Sequence, residues 1–368
     1  MGTTAVKTLD LYIIKKFLGT YFFSIVLIIS IAVIFDFNEN VAKFTEKHAP
    51  WDAIIYDYYL NFIPFYANLF SGLFVFLSVI FFTTKLADNS EIIAMLAAGV
   101  SYRRLLRPYM ISTTIIALLS FVLGAEIIPR GNVKRVDFEN TYKRNRVHNV
   151  ATYADNVQLQ VAPGVITYMS HFDGRTHTGY GFTMDQFKDK KLICHLTAQS
   201  IAYDTIGDVR FMWHMKNVQI REMKGMREHI THYDQMDSVI TMEPRDFLFV
   251  AHLQETMTNS QLREYINRQK MRGSSGLAGF EVEYQKRFSA PFSAFILALI
   301  GFALSAKKKK GGMGMGLGLG IGLSAGYILL QTVSSSFSTG AGMNPMLAAW
   351  IPNILFSFIA LWLVRRLS

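Results

Sequence analysis

Residues 17–35 read FLGTYFFSIVLIISIAVIF, 19 positions without a single charged side chain. The hydrocarbon core of a bilayer is about 30 Å thick, so a helix needs roughly 20 apolar residues to cross it. The run therefore predicts a membrane-spanning helix, at about residues 13–36. No small-residue cleavage site follows in Phe35–Asn40, so we do not expect a cleaved signal peptide.

Five further apolar segments of helical length occur along the 368 residues. They lie at about 54–82, 108–128, 286–306, 313–337 and 346–364. We therefore expect an α-helical membrane protein with six transmembrane helices, three on each side of a polar insert. The first transmembrane half is residues 1–130, the insert residues 131–272 and the second half residues 273–368.

The short loops between the predicted spans are basic, and this predicts their orientation. Basic residues occur in the loop 83–107, in the run Lys307–Lys310 and at the C-terminus, where Arg365 and Arg366 lie. With six spans, all three clusters lie on one side of the membrane. Because Lys and Arg accumulate in cytoplasmic loops, both termini are expected in the cytoplasm and the insert outside it.

The insert alternates between apolar and polar residues, which is typical of β-strands. We predict strands at 157–161, 164–170, 179–184, 192–203 and 210–221, separated by turn residues. Many short strands indicate a sandwich or an open barrel. A helix follows at about 259–270, and Gly273–Gly279 predicts a flexible joint. The single cysteine, Cys194, excludes an internal disulfide.

A short helix is predicted at about residues 89–98, inside the basic loop. Asn89 or Ser90 can cap its start, and Gly99 suits its end. One interpretation is an amphipathic helix that rests on lipid. The other is a docking element for a cytoplasmic protein. Glu91 is the only acid in residues 89–107, so it could pair with a basic residue of that partner.

Glycines recur every fourth residue in the fifth predicted span, at Gly314, Gly318 and Gly322. This small-xxx-small spacing lets helix backbones approach closely. It predicts either packing inside the six-helix unit or a seam with a partner helix. The run is not a phosphate-binding loop, because no Gly-Lys-Ser/Thr follows it and no strand precedes it.

Lys43 and Lys47 lie just beyond the first predicted span. They either end a solvated helix or meet an anionic lipid headgroup, since ammonium groups bind phosphate. The formal net charge of +10 points first to topology and membrane lipid, and no nucleic-acid partner is expected. No catalytic set, metal site or cofactor motif is recognisable, so we do not expect an enzyme.

Three stretches resemble the lipopolysaccharide export permeases LptF and LptG, the YjgP/YjgQ family. Residues 90–99, SEIIAMLAAG, are similar to a segment that this family places between its second and third spans. Leu9–Ile13, LDLYI, resembles the family's LDRYI start. Met346–Asn353, MLAAWIPN, resembles its C-terminal signature. The fourth span, with Arg287 and Pro291, also fits.

The resemblance implies a permease subunit in the inner membrane of a bacterium, with a periplasmic β-jellyroll insert. It implies a homologous partner permease, two copies of the ATPase LptB and the single-span protein LptC. The 90–99 segment would be the coupling helix, with Glu91, Met95 and Gly99 at the ATPase. Lys43 and Lys47 would contact lipopolysaccharide, and they favour the LptG branch.

Two functions therefore remain open from the sequence. The first is an ABC transporter permease that extracts lipopolysaccharide and passes it to a periplasmic β-jellyroll bridge in outer membrane biogenesis. The second is a membrane-anchored periplasmic binding or scaffold protein. Six spans with a glycine seam exceed what an anchor needs, which favours the first.

Overall fold

A computed structural model describes residues 8–143, 153–204, 209–225, 227–248, 252–272, 277–307 and 312–367. The chain divides into two compact units. The helical unit comprises Met1–Phe138, Gln254–Leu262 and Ala278–Ser368, and the sheet unit comprises Glu139–Leu253 and Arg263–Leu277. The predicted basic residues 308–310 and most of the predicted joint, residues 273–276, lie outside the described residues.

The helical unit contains the long helices. They are α1 (Thr8–Glu46), α2 (Leu60–Leu69), α3 (Ser71–Asp88), α4 (Glu91–Ala97), α5 (Tyr102–Val122) and α6 (Ile128–Phe138), then α8 (Ala278–Ser305), α9 (Gly312–Ala341) and α10 (Pro345–Leu367). Helix α7 (Asn259–Met271) has its residues up to Leu262 in this unit and the rest in the sheet unit. π-helical segments lie at Ala53–Tyr59, Leu123–Ile127 and Glu139–Lys143.

Five helices in the described part of the chain are long and apolar enough to cross a membrane. They are Thr8–Glu46, Ser71–Asp88, Tyr102–Lys143, Ala278–Ser305 and Pro345–Arg366. Helix α9 covers the remaining predicted span at 313–337 but is not among these five. The count of three spans on each side therefore stays a prediction.

Two details of the predicted spans were wrong. The second is interrupted, because Phe70 (φ −96°, ψ 10°) separates α2 from α3. The helical structure of the third does not end near residue 128 as predicted, because α6 continues to Phe138. A proline is tolerated in the first turn of a helix, and the π-helical segment Leu123–Ile127 immediately precedes α6.

Two buried arginines fix the segment Gln254–Asn259 within the helical unit. Arg287 of α8 donates to the carbonyl of Met257 at 2.7 Å, to Asn259 Oδ1 at 3.1 Å and to Glu283 Oε1 at 3.0 Å. A further bond reaches the carbonyl of Gln254 at 3.1 Å. The Arg287 side chain is only 6% exposed, and these four hydrogen bonds offset the cost of burying its charge.

Arg135 of α6 makes the second anchor. Its Nη2 lies 2.8 Å from Glu255 Oε2, and its Nε donates to Asn132 Oδ1 at 2.9 Å. The guanidinium also lies 4.0 Å from the ring centroid of Phe65. Charge, hydrogen bonding and ring contact therefore stabilise one end of the helical unit.

The sheet unit is built on one six-stranded antiparallel sheet in the described residues. Its strands are β1 (Tyr153–Ala162), β2 (Val165–Asp173), β3 (Thr178–Lys188), β4 (Lys191–Tyr203), β5 (Met212–Lys224) and β6 (Arg227–Val239). They pair in sequence order. Among the residues described, the expected sandwich or jellyroll is therefore met only as an antiparallel sheet in which consecutive strands are neighbours.

The alternation of inward and outward residues shifts by one position along a single line of this sheet. In β2 the buried Met169 and Phe172 are separated by two outward residues instead of one, and β3, β4 and β5 repeat this spacing. The line consists of Asn156, Ser170, Gly181, Gln199, Asn217 and Asp234, none of which is paired across its strands. We call it the bulge line.

The backbone of alternate strands is left-handed at the bulge line. Asn156, Gly181 and Asn217 have φ of 53°, 63° and 51°. Glycine and asparagine tolerate this region best, which explains their presence there. An extra residue in a strand bends it, so both halves of the sheet direct apolar side chains into one core.

The core of the sheet is closed by the segment after β6. Trp213 is fully buried, and its indole donates to the carbonyl of Met242 at 3.1 Å. Phe247 packs edge-on against Phe172, with ring centroids 4.7 Å apart. Nearby, Asp246 is fully buried beneath Arg268 and Arg272 of α7. The segment after β6 therefore covers the apolar core of the sheet, which a second sheet had been predicted to cover.

Ionisation of His214 is expected to affect the stability of the sheet unit. Its Nδ1 lies 2.7 Å from Asp237 Oδ1, and this hydrogen bond raises the pKa of His214 above its usual 6.5. Because the pKa of His214 is higher in the folded state than in the unfolded state, its interaction with Asp237 contributes fully to stability at pH values below the unfolded-state pKa. That stability disappears as pH rises through the folded pKa.

We therefore expect His214→Gln to lower the unfolding temperature by about 1–2 °C at mildly acidic pH, and by less at alkaline pH. Differential scanning fluorimetry of the full-length protein at both pH values measures this. An equal loss at the two pH values would contradict the role of the charged imidazole.

Candidate functional site

Helix α4 forms a short platform at one end of the helical unit. Ile92 anchors it, since this side chain is 1% exposed and packs in the apolar core. Its end is a Schellman motif, in which the amides of Gly99 and Val100 donate to the carbonyls of Leu96 and Met95. Gly99 has φ +86°, a conformation that favours glycine.

The start of α4 differs from the expected cap. Ser90 occupies the N-cap position, but its φ is 60° and its side chain accepts no capping hydrogen bond. The platform is therefore fixed by its core contact and its C-terminal motif more than by its cap.

One face of α4 is exposed. Ile93 is 54% exposed, and Ala94, Ala97 and Ala98 are exposed beside it. Three alanines and one isoleucine form a flat surface without charge. Such a surface lets another protein approach the helix backbone closely.

Glu91 begins α4 and presents its carboxylate beside this face. The hydroxyl of Tyr12 donates to Glu91 Oε2 at 3.2 Å, and Asn89 Nδ2 donates to Oε1 at 3.3 Å. Both donors are neutral, and Glu91 forms no ion pair within the described ranges. The site therefore keeps a negative charge that a cation from outside the chain can neutralise.

The ends of α1 and α5 are joined beside the platform. Arg104 donates to both carboxylate oxygens of Asp10 at 2.6 Å. The Asp10 side chain is 7% exposed and that of Arg104 26%. Bidentate Arg–carboxylate pairs are strong and fix orientation. Together with Tyr12 and Glu91, the pair ties α1, α4 and α5 into one structural element.

The sequence-predicted residues have different environments here. Glu91 lies beside the exposed face of α4, whereas Met95 packs partly against the chain's own core. Gly99 is exposed and ends the helix. Sequence reasoning missed the roles of Asp10 and Tyr12, although both lie in the quoted LDLYI stretch. The available signal was the charge of Asp10 next to the apolar run of the first span.

Lys43 and Lys47 lie at the opposite end of α1. Lys43 is exposed, and its Nζ lies 3.5 Å from Asn40 Oδ1. Lys47 follows the last residue of α1 and is half-buried. Between them, Phe44 is 3% exposed and packs against Tyr58. The packing of Phe44 fixes this end of the helix, and Lys43 remains on its exposed side.

The glycines of α9 divide between two faces. A Cβ built at Gly320 would lie 2.4 Å from Ile80 Cδ1, so this glycine permits close packing with α3. A Cβ at Gly314, Gly318 or Gly322 meets no atom of the described chain within 4 Å. The predicted stripe therefore does not pack within the described helices.

Gly320→Leu and Gly318→Leu form a matched pair of variants that tests this division. We expect Gly320→Leu to lower the unfolding temperature of the purified chain, because overpacking costs about 1–3 kcal/mol. Gly318→Leu should leave the chain's own stability within about 0.5 kcal/mol of the wild type. Thermal unfolding in mild detergent measures both, and equal losses would contradict the division.

These features define the class of the protein: a multi-pass membrane protein that carries a β-sheet insert. Residues 11–366 match a family model described as lipopolysaccharide export system permease LptF/LptG. The chain belongs to this family. The match does not distinguish the LptF branch from the LptG branch. No curated protein matches the chain in a sequence search.

Proposed function

We propose that this chain is the permease subunit of an ABC transporter that extracts lipopolysaccharide from the inner membrane. The observation that carries the proposal is Glu91, an acid without an ionic partner in the described chain, beside the exposed face of α4. A carboxylate in that position suits a basic residue of an ATPase. Family membership supplies the transported lipid and the inner membrane.

Force from the ATPase would enter the membrane through the element that joins α1, α4 and α5. Movement of α4 reaches α1 through Tyr12 and reaches α5 through the short turn before Tyr102. The Asp10–Arg104 pair keeps α1 and α5 together during this movement. ATP binding by a dimer of LptB-like subunits would thus compress an apolar space between this chain and its homologous partner permease.

The lipid would enter that space from the outer leaflet, with its phosphates near Lys43 and Lys47. It would then pass to the periplasmic insert, residues 131–272, and on to a β-jellyroll bridge. The two transmembrane halves would be residues 1–130 and 273–368. The Gly314, Gly318 and Gly322 face of α9 would contact a neighbouring helix, and a LptC-like single-span protein completes the assembly. Both termini would be cytoplasmic.

The Glu91→Lys variant tests the proposal directly. We expect it to lose the ATPase on purification from native membranes in mild detergent, because two cations would then face each other. Lipopolysaccharide export should fall with it. Asp88→Lys is the matched control, since Asp88 is exposed at the end of α3 and carries the same charge change.

Mass spectrometry of the purified complexes measures the outcome. Wild-type protein should bring with it an ATPase and a homologous permease. Their consistent absence would instead favour the membrane-anchored binding or scaffold protein. Normal ATPase recovery and normal export with Glu91→Lys would remove Glu91 from the interface.

A further inference from the structure

A cavity of about 480 Å³ lies within the helical unit. Residues of α2, α3, α5, α6, α8 and α9 line it, and most of its wall is apolar, as at Leu73, Leu297 and Ile328. Cavities of roughly 300–1,000 Å³ are typical of small-molecule sites. Part of it lies between α3 and α8, where Gly72, Ser293 and Leu297 line it.

Three helix irregularities converge on the wall of this cavity. Phe70, where α2 and α3 separate, lines it. So do Gly124, in the π-helical segment Leu123–Ile127, and Pro291, within α8. Irregular backbone at membrane depth is tolerated where it lines a cavity, and π-helical segments are frequent at functional sites. Their convergence indicates a formed site and not a packing defect.

The cavity has a charged rim at the α6 end of the unit. Arg287 is already engaged in four hydrogen bonds, to Glu283 and to the segment Gln254–Asn259. Glu255 is held by Arg135. Lys286 also lines the cavity and forms no ion pair with any residue that the structure describes. The rim thus offers one cation to a ligand.

A polar group also lies in the apolar wall. Ser324 of α9 lines the cavity and is 1% exposed, yet its Oγ has no hydrogen-bond partner within the described ranges. A buried hydroxyl without a partner costs free energy. A ligand that carries an oxygen along its chain, or a water bound with it, would satisfy Ser324.

We propose that this cavity binds one acyl chain of an anionic lipid, with the carboxylate or phosphate of the head at Lys286. The volume accepts a single chain and excludes a complete multi-chain glycolipid. The chain lies against the apolar wall, and the Lys286 ammonium meets the anion where the helical unit leaves the hydrocarbon. The site goes beyond the proposed export role and does not depend on it.

Photo-crosslinking with palmitate that carries a diazirine in mid-chain tests the site. The full-length protein, with any subunits that accompany it, is placed in phosphatidylcholine nanodiscs without ATP. Peptide mass spectrometry then locates the label. We expect labelling of cavity residues on α3, α8 and α9, and weaker labelling by the uncharged methyl ester.

Two variants and a control separate the site from general lipid contact. Ile328→Trp fills the cavity, and we expect about tenfold weaker labelling of its walls. Lys286→Glu leaves the wall intact, and we expect a loss of about fivefold or more from charge reversal. Lys134→Glu is the control, because Lys134 is 66% exposed and does not line the cavity. It should label like the wild type.

Competition identifies the source of the chain. Displacement of the label by lysophosphatidylglycerol supports a separate regulatory or structural lipid. Displacement by lipopolysaccharide supports a resting place for one chain of the transported molecule. Label spread over the lipid-facing surfaces of α1 and α10, unchanged in Ile328→Trp and Lys286→Glu, would overturn the proposal. Equal labelling by palmitate and its methyl ester would overturn the role of Lys286.

Discussion

Arg287→Met is expected to destabilise the helical unit by about 3–5 kcal/mol, the largest effect of any substitution considered. Methionine preserves much of the side-chain volume but cannot donate a hydrogen bond. The carbonyls of Gln254 and Met257 would lose their donor, and Glu283 would become a half-buried charge without its partner. The segment Gln254–Asn259 should then detach from α8.

Thermal unfolding in mild detergent measures the loss, and limited proteolysis detects the released segment. Arg130→Met is the matched control, because Arg130 is 75% exposed and its pair with Glu126 is at the surface. We expect the control to change stability by less than about 1 kcal/mol. Similar losses in both variants would show that Arg287 acts through charge alone and not through its buried bonds.

Breaking the Asp10–Arg104 pair is expected to cost about 2–3 kcal/mol, since one partner remains partly buried without its counter-charge. Asp10→Ala and Arg104→Ala should each loosen the joint between α1 and α5. Because both remove the same interaction, the double variant should lose little more than the worse single variant. Stability measured for the four proteins of this cycle gives the coupling free energy.

Coupling to an ATPase provides a second measurement on the same variants. We expect ATP hydrolysis by the purified complex to continue in Arg104→Ala while lipid export falls, since the joint transmits movement and does not bind nucleotide. Arg103→Ala is the control, because Arg103 is exposed on the same helix turn. Additive losses of stability in the double variant would show that the two residues act independently.

The sequence predicted the membrane helices well because long apolar runs are needed to cross lipid. It did not predict the interruption at Phe70, because Gly72 and Pro64 nearby are both tolerated inside membrane helices. The π-helical segment Leu123–Ile127 has no sequence signature either. For this reason the end of the third helical segment was placed too early, at about residue 128.

The sheet shows where the alternation of apolar and polar residues fails to predict strands. Five strands have one buried face and were predicted within a few residues. Strand β6 was missed, because none of its residues is buried and its sequence has no apolar period. The bulge line was missed for another reason: Asn217 was treated as an ordinary polar strand residue, and Asn156 was placed before the first strand.

Of the candidate site, the sequence predicted helix α4 but not the contacts that join it to distant parts of the chain. Helix α4 could be placed because capping and stop signals lie within ten residues. The Asp10–Arg104 pair joins residues 94 positions apart, and Arg104 had been used only as a marker of topology. A lone sequence gives no means of assigning partners over that distance, whereas packing of α1 against α5 does so.

The bulge line restricts how the gene for this protein can vary. The alternation of inward and outward side chains is offset by one residue between the two sides of the line. Inserting a codon within a strand would therefore turn the inward side chains of one half of that strand outward, and its outward side chains inward. Met215 and Trp213 would then face solvent while charged neighbours entered the core. Insertions and deletions that survive selection should therefore lie in the turns, or affect all neighbouring strands at the same line.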